Sequence, residues 1–282
     1  MNRRRSWQML IVFFTLPWVP AVQAEEKVPV KILLIATKKD HPWGSHMYQF
    51  DSQLLASCLN QTPGVEATVS MNWPTNPQTL EGVRSIVFFS RPAGEIVLNS
   101  DKRPQFEKLM AQGVGYVAIH WATGIGYSKF AEDQAIRDAY KNILGGWFRR
   151  PPCGIKFDQS HLVQVDKKHP ICRGWQGYDL RDEFYLDLVF HEKIEPLIRA
   201  EVDGKQQVVA WGFNRPNSQN GRSFGTTLGH FHSNFALPFH RQFMVNAILW
   251  TAHVEIPAKG APVQVRAEDL KLPPMPAEKQ PN

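Results

Sequence analysis

Val30-Lys31-Ile32-Leu33-Leu34-Ile35-Ala36-Thr37 is an almost continuous apolar run, the pattern of a strand buried on both faces. A turn containing Pro42 and Gly44 follows it, and then a helix predicted from about Ser45 to Asn60. Further strands are expected at Val65 to Ser70, Ser85 to Ser90 and Gly115 to His120, with a helix from Arg103 to Gln112 closed by Gly113. This alternation of strand and helix predicts an α/β fold, a parallel sheet with helices on both faces. The stretch from about Asn142 to Arg222 is less regular. It holds strand-like pieces at His161 to Val165, Leu186 to Phe190 and Val208 to Trp211. Strands resume from Arg222 to Leu228, and the domain closes with a helix from about Leu237 to Ala252, where Phe239, Phe243, Ala247 and Trp250 recur at helical spacing. Beyond Val254, six prolines among Lys and Glu predict an extended tail, lying on the surface or disordered.

The chain has 282 residues, 43% hydrophobic and 21% charged, enough to bury a real core. Its net charge of +6 is concentrated at the start, where Arg3, Arg4 and Arg5 precede an apolar stretch from Leu10 to Val22 that is broken by Pro17 and Pro20. Small residues around Ala24 complete the pattern of a cleavable secretory signal peptide, residues 1–24. The run is shorter than the roughly 20 residues a spanning helix needs, so no membrane anchor is expected after cleavage. Cleavage removes half of the charge surplus and with it the electrostatic case for a nucleic-acid partner. A periplasmic or secreted location permits disulfides. Cys58 shares a helical stripe with Leu54, Leu55 and Leu59 and reads as a core residue, which leaves Cys153 and Cys172 as the candidate pair.

Ligands of parallel sheets bind outside the carboxyl ends of the strands, and those ends are rich in histidine and acid here. His41 and His46 follow the first strand, His120 ends the fourth, and His230 and His232 end the late one. Asp182 and Glu183 precede Phe184-Tyr185. Ala118 and Ala122 flank His120 at the spacing that relieves crowding in a nucleophile elbow, with histidine at the apex where serine or cysteine is usual. His46 is expected in the first helical turn behind a Ser45 cap, where the macrodipole keeps an imidazole neutral. His46, His120, Glu183 and His230 are therefore the candidate catalytic residues, as acid, base or ligands of a divalent transition metal such as zinc. Trp43, Trp121 and Trp147 lie near these strand ends and offer indole faces to a carbohydrate. With His41 and Asp182 they form the candidate substrate-binding set. His161, His169, His191, His240 and His253 read as surface or structural.

HPWGSHMY from His41, GVGYVAIHWAT from Gly113, LGGWF from Leu144, HPICRGW from His169, LRDEFY from Leu180, VVAWGF from Val208 and GRSFGTTLGHFH from Gly221 together resemble the ThuA-like (trehalose utilisation) family. The resemblance spans roughly Lys31 to Val254 and divides the chain into leader, a ThuA-like domain over 25–254 and a proline-rich tail over 255–282. It implies a flavodoxin-like three-layer sandwich with a mainly parallel sheet, similar to class I glutamine amidotransferases. Those enzymes carry a cysteine at the elbow and a His-x-Glu pair after a late strand. This chain has His120 and His230-Phe231-His232 instead, so glutamine hydrolysis is not expected. The family's association with disaccharides and 3-keto sugars implies a small carbohydrate as partner. Two functions fit: an exported hydrolase or lyase acting on a glycoside or keto-sugar, and a non-catalytic carbohydrate-binding module. No flavin or nicotinamide fingerprint supports a redox role.

Overall fold

The computed structural model describes residues 28–99 and 101–275. The expected leader, residues 1–24, lies outside the described residues. In chain order the elements are β1 (Val30–Ala36), α1 (Tyr48–Leu59), β2 (Val65–Met71), β3 (Val83–Phe89), α2 (Ala93–Leu98), α3 (Arg103–Ala111), β4 (Gly115–Ile119), α4 (Gln134–Leu144) and β5 (Gly146–Trp147). They continue with β6 (Gly154–Gln164), β7 (Tyr178–Leu186), β8 (Val189–Phe190), β9 (Glu195–Val202), β10 (Lys205–Asn214), β11 (Arg222–Thr226) and α5 (Pro238–Thr251).

The central sheet runs β2-β1-β3-β4-β11-β10-β9-β6-β7. Pairings among β2, β1, β3, β4 and β11 are all parallel, which gives the doubly wound order with its switch point between β1 and β3. Alternate residues of these strands feed two separate cores. Ile32, Leu34, Val87, Phe89, Val117 and Ile119 pack with α1 and α5 on one face. Leu33, Ile35, Ile86, Phe88, Tyr116 and Ala118 pack with α2, α3 and α4 on the other. Burial on both faces is why these strands read as unbroken apolar runs. The fold is the expected α/β sandwich.

The less regular middle of the sequence becomes an antiparallel extension, β11-β10-β9-β6-β7. Strand β6 is longer than the piece seen in the sequence, and it joins β9 only through Val163 and Gln164. The rest of β6 pairs with β7 alone, from Gly154↔Leu186 to Leu162↔Tyr178, forming a ribbon that is free to arch away from the main sheet.

Two expectations are corrected. Helix α1 begins at Tyr48, not Ser45: Ser45 forms a bridge with Phe231, and the N-cap is Met47, which supplies no side-chain cap. Cys153 and Cys172 are unpaired and belong to different cores, and Cys58 is likewise a buried free thiol. From residue 255 to 275 the chain is largely irregular and lies along the surface, as expected, with Ile256 and Ala261 buried against the α1 and α5 side and a short 3₁₀ turn over Ala267–Leu270. No helix among the described residues is long and apolar enough to cross a membrane.

His240 in α5 is fully buried, hydrogen-bonded to Tyr178, and burial beside Arg241 pushes its imidazole down to about 3. The unfolded chain takes up a proton on this residue below about pH 6.5, whereas the folded chain does not until about pH 3. Stability is thus full above pH 6.5 and declines as the pH falls. Urea unfolding at pH 7 and pH 4 is expected to show wild type losing roughly 3 kcal/mol more than His240→Gln across that interval.

Candidate functional site

The carboxyl ends of β1, β4 and β11 each deliver one histidine. His120 follows β4 directly and takes φ 54°, a left-handed backbone that turns its ring inward from the strand end. This is the strained apex expected of an elbow, flanked by buried Ala118 and Ala122. His46 precedes α1, also left-handed at φ 48°. His230 follows Gly229, whose φ of 114° requires glycine. Two loops are sewn together by backbone pairing: His46 N–H donates to His230 O at 3.0 Å and His232 N–H to Gly44 O at 2.9 Å.

His46, His120, Glu183 and His230 are all buried, and they meet. His46 Nε2 lies 3.0 Å from His120 Nε2 and 3.1 Å from His230 Nδ1, and the last two are 3.2 Å apart. Glu183 Oε2 stands 3.3 Å from His120 Nε2 and 3.4 Å from His230 Nδ1. The outward atoms of two rings have fixed partners. His120 Nδ1 donates to Thr227 O at 2.6 Å, which makes Nε2 a bare acceptor. His46 Nδ1 bonds Asp40 Oδ1 at 3.0 Å and the Tyr48 hydroxyl at 2.6 Å. With its Nδ1 proton given to Asp40, its Nε2 is likewise a lone pair aimed at His120.

Lone pairs that converge in a buried place repel unless a cation or a proton lies between them. A metal with nitrogen bonds of about 2.1 Å spans a ligand–ligand edge of roughly 3.0 Å in octahedral and 3.4 Å in tetrahedral geometry. The observed triangle falls between these values, and its outer carboxylate and carbonyl are the partners that orient metal-ligating imidazoles. The residues fit a divalent transition metal. The electrostatics agree. Burial, reinforced by His120, His41 and His230, pushes His46 down to about 3 despite its bond to Asp40. Burial alone would raise Glu183, but its contacts with the His120 and His230 rings outweigh it and hold the carboxyl below its ordinary value. The helix-dipole explanation for a neutral His46 is replaced by burial and neighbouring imidazoles, since His46 lies outside α1.

The substrate-binding set divides. Trp121 is half-buried beside the ligands, its ring 5.6 Å from His46 and 5.3 Å from His41. The His41 ring packs against that of His46, with centroids 3.6 Å apart and planes tilted by 37°, and its Nδ1 bonds Asp40 at 2.8 Å. Trp147 is a core residue under Arg137. Trp43 packs under Lys39 in a separate pocket of about 470 Å³ with Met47, Phe50 and Met71. Asp182 is fully buried and supports the loop, accepting from the N–H groups of Glu183, Gly229 and His230. Four neighbours escaped the sequence reading: Asp40, Tyr127, Phe157 and Tyr185. Phe157 lies directly across the ribbon from Glu183, 5.1 Å from the His230 ring. The period-2 pattern from Ile155 through Phe157 was the available signal for it.

A family model described as "ThuA: Trehalose utilisation" matches residues 32–251. The chain belongs to the ThuA family. Among solved structures, a putative ThuA-like protein of Bacteroides uniformis aligns with TM-score 0.61 and 19% identity, over 83% of this chain and 95% of that one. A putative ThuA-like protein of Parabacteroides merdae aligns with TM-score 0.56 and 18% identity, over 87% of this chain and all of that one. A cold-adapted β-galactosidase from Rahnella is similar over 78% of this ThuA chain and 31% of its own, with TM-score 0.51 and 13% identity. These likenesses concern the fold. A search of curated proteins found no match.

Asp182 sets the position of His230 in this ThuA domain. Asp182→Ala orphans three backbone N–H groups and is expected to cost about 3 kcal/mol or more, whereas Asp182→Asn, which keeps an acceptor oxygen, costs less. Chemical denaturation of the two variants measures the order.

Proposed function

We propose that this ThuA protein is an exported, metal-dependent enzyme that acts on a glycoside or keto-sugar by hydrolase- or lyase-type chemistry. The observation that carries the reading is the buried triangle of inward nitrogens closed by Glu183. A divalent metal bound there supplies Lewis acidity toward a sugar oxygen. His46, His120, His230 and Glu183 would hold it, and Asp40 and Thr227 O fix the ring orientations. His41, with Nδ1 bonded to Asp40, keeps Nε2 to take a proton from a substrate hydroxyl. Trp121, Tyr127 and Phe157 support a carbohydrate ligand. The last two are 47% and 50% exposed beside an otherwise buried polar centre, and aromatic faces suit the C–H faces of sugar rings. The leader pattern of residues 1–24 supports action outside the cytoplasm.

Metal analysis of protein purified without a histidine tag is expected to give about one transition-metal ion per chain, with a large loss in His120→Ala. Phe157→Ala and Trp121→Ala are expected to keep the metal and weaken sugar binding about tenfold or more, measured by calorimetry. Wild-type protein with no affinity for Zn²⁺ or Co²⁺ would overturn the metal reading. Sugar binding without turnover would favour the carbohydrate-binding module.

A further inference from the structure

We propose that the Tyr185 hydroxyl is a fixed hydrogen-bond donor to the oxygen that a ligand presents to the three-histidine centre. This makes the site selective for carbonyl, carboxylate or hydroxyl oxygen over nitrogen ligands. The inference rests on reading that centre as a metal site.

Tyr185 lies two residues after Glu183 on β7, so both side chains leave the same face of the strand. Its ring is clamped in a stack, 3.9 Å from Phe148 and 4.9 Å from His120. It is 1% exposed. The clamp leaves Oη 3.3 Å from His120 Nε2, the atom that also faces His46, His230 and Glu183. Tyr185 therefore contributes a fifth polar atom to the inner surface of the centre. Tyr48 differs: its hydroxyl meets His46 from outside, at Nδ1.

His120 Nδ1 donates to Thr227 O, so Nε2 can only accept, and Tyr185 is a donor to it. A cation on Nε2 takes that lone pair away, and the same cation engages Glu183 Oε2. The pinned phenol then holds a buried O–H without a partner, which costs about 1–3 kcal/mol. An oxygen atom of an incoming ligand keeps a second lone pair after it meets the cation and can accept this proton. An imidazole or amine nitrogen has spent its lone pair and cannot. A phenol carries its proton at neutral pH, so the hydroxyl is available as a donor.

The test compares Co²⁺-loaded wild type, Tyr185→Phe and Tyr48→Phe by visible absorption during titration with acetate or imidazole. Phenylalanine preserves the stacked ring, and circular dichroism checks the fold. For Tyr185→Phe, Co²⁺ affinity should rise about fivefold or more, because no phenol is left without a partner, acetate should bind the loaded protein about tenfold more weakly, and imidazole should change by less than about twofold. Tyr48→Phe should leave the acetate-to-imidazole ratio unchanged. Unaltered acetate affinity in Tyr185→Phe, equal weakening of both probes, or a parallel loss of Co²⁺ affinity would each overturn the donor role. Failure of wild type to bind Co²⁺ would overturn the metal reading and this inference together, and it is seen before any variant is compared.

Discussion

Two imidazole lone pairs fixed at one point, with a third ring nitrogen and a carboxylate oxygen beside them, are a repulsive arrangement. The surrounding structure exists to hold it. Left to relax, the rings would rotate to share protons or turn toward water. They cannot, because Thr227 O fixes His120, Asp40 and Tyr48 fix His46, and the stack of Phe148 on Tyr185 on His120 blocks rotation. Left-handed backbone at His46 and His120 costs of order 1–3 kcal/mol each, so the neighbouring pairings must over-determine it.

Those pairings come from distant parts of the chain. The Ser45 to Phe231 bridge and the flanking backbone bonds lock the loop after β1 to the loop after β11. His232 extends the lock, bonding Asp51 of α1 at 2.6 Å on one nitrogen and Leu270 O of the C-terminal segment at 2.8 Å on the other. The docked segment after Val254 is thus tied to the loop that carries His230, which is why a proline-rich stretch is ordered there.

Burial on both faces made the parallel half legible in the sequence, since VKILLIAT and GYVAIH carry no polar face to blur the signal. The strand-end rule then located His46, His120 and His230. What escaped depends on contacts between remote residues. Ser45 looks like a helix cap, but its backbone is taken by Phe231, so α1 starts three residues later. Trp43 and Trp147 sit close in sequence to the site, yet sequence proximity does not set side-chain direction, and both face elsewhere. Cys153 and Cys172 are 19 positions apart but lie in different cores. Phe157 and Tyr185 escaped because the ribbon that carries them has mixed burial and ends in short irregular pieces.

That ribbon explains how the site is closed. At about 4.8 Å between neighbouring strands, a flat sheet would put β7 roughly 24 Å from β4, five strands away. Glu183 nevertheless reaches within 3.3 Å of His120. The antiparallel half must therefore coil back over the carboxyl edge, and the narrow β6–β9 pairing gives it the freedom to do so. Nitrogen donors come from the parallel half; the Glu183 carboxylate and the Tyr185 phenol come from the ribbon. A centre built this way is complete only when the two halves are docked. Any cation that prefers the full donor set would bind the docked state more tightly, and by linkage it would stabilise the arch that closes over the three histidines. Ligand set and tertiary closure are then one equilibrium, in which the sheet's curvature, set by where β6 leaves β9, decides whether the oxygen donors arrive.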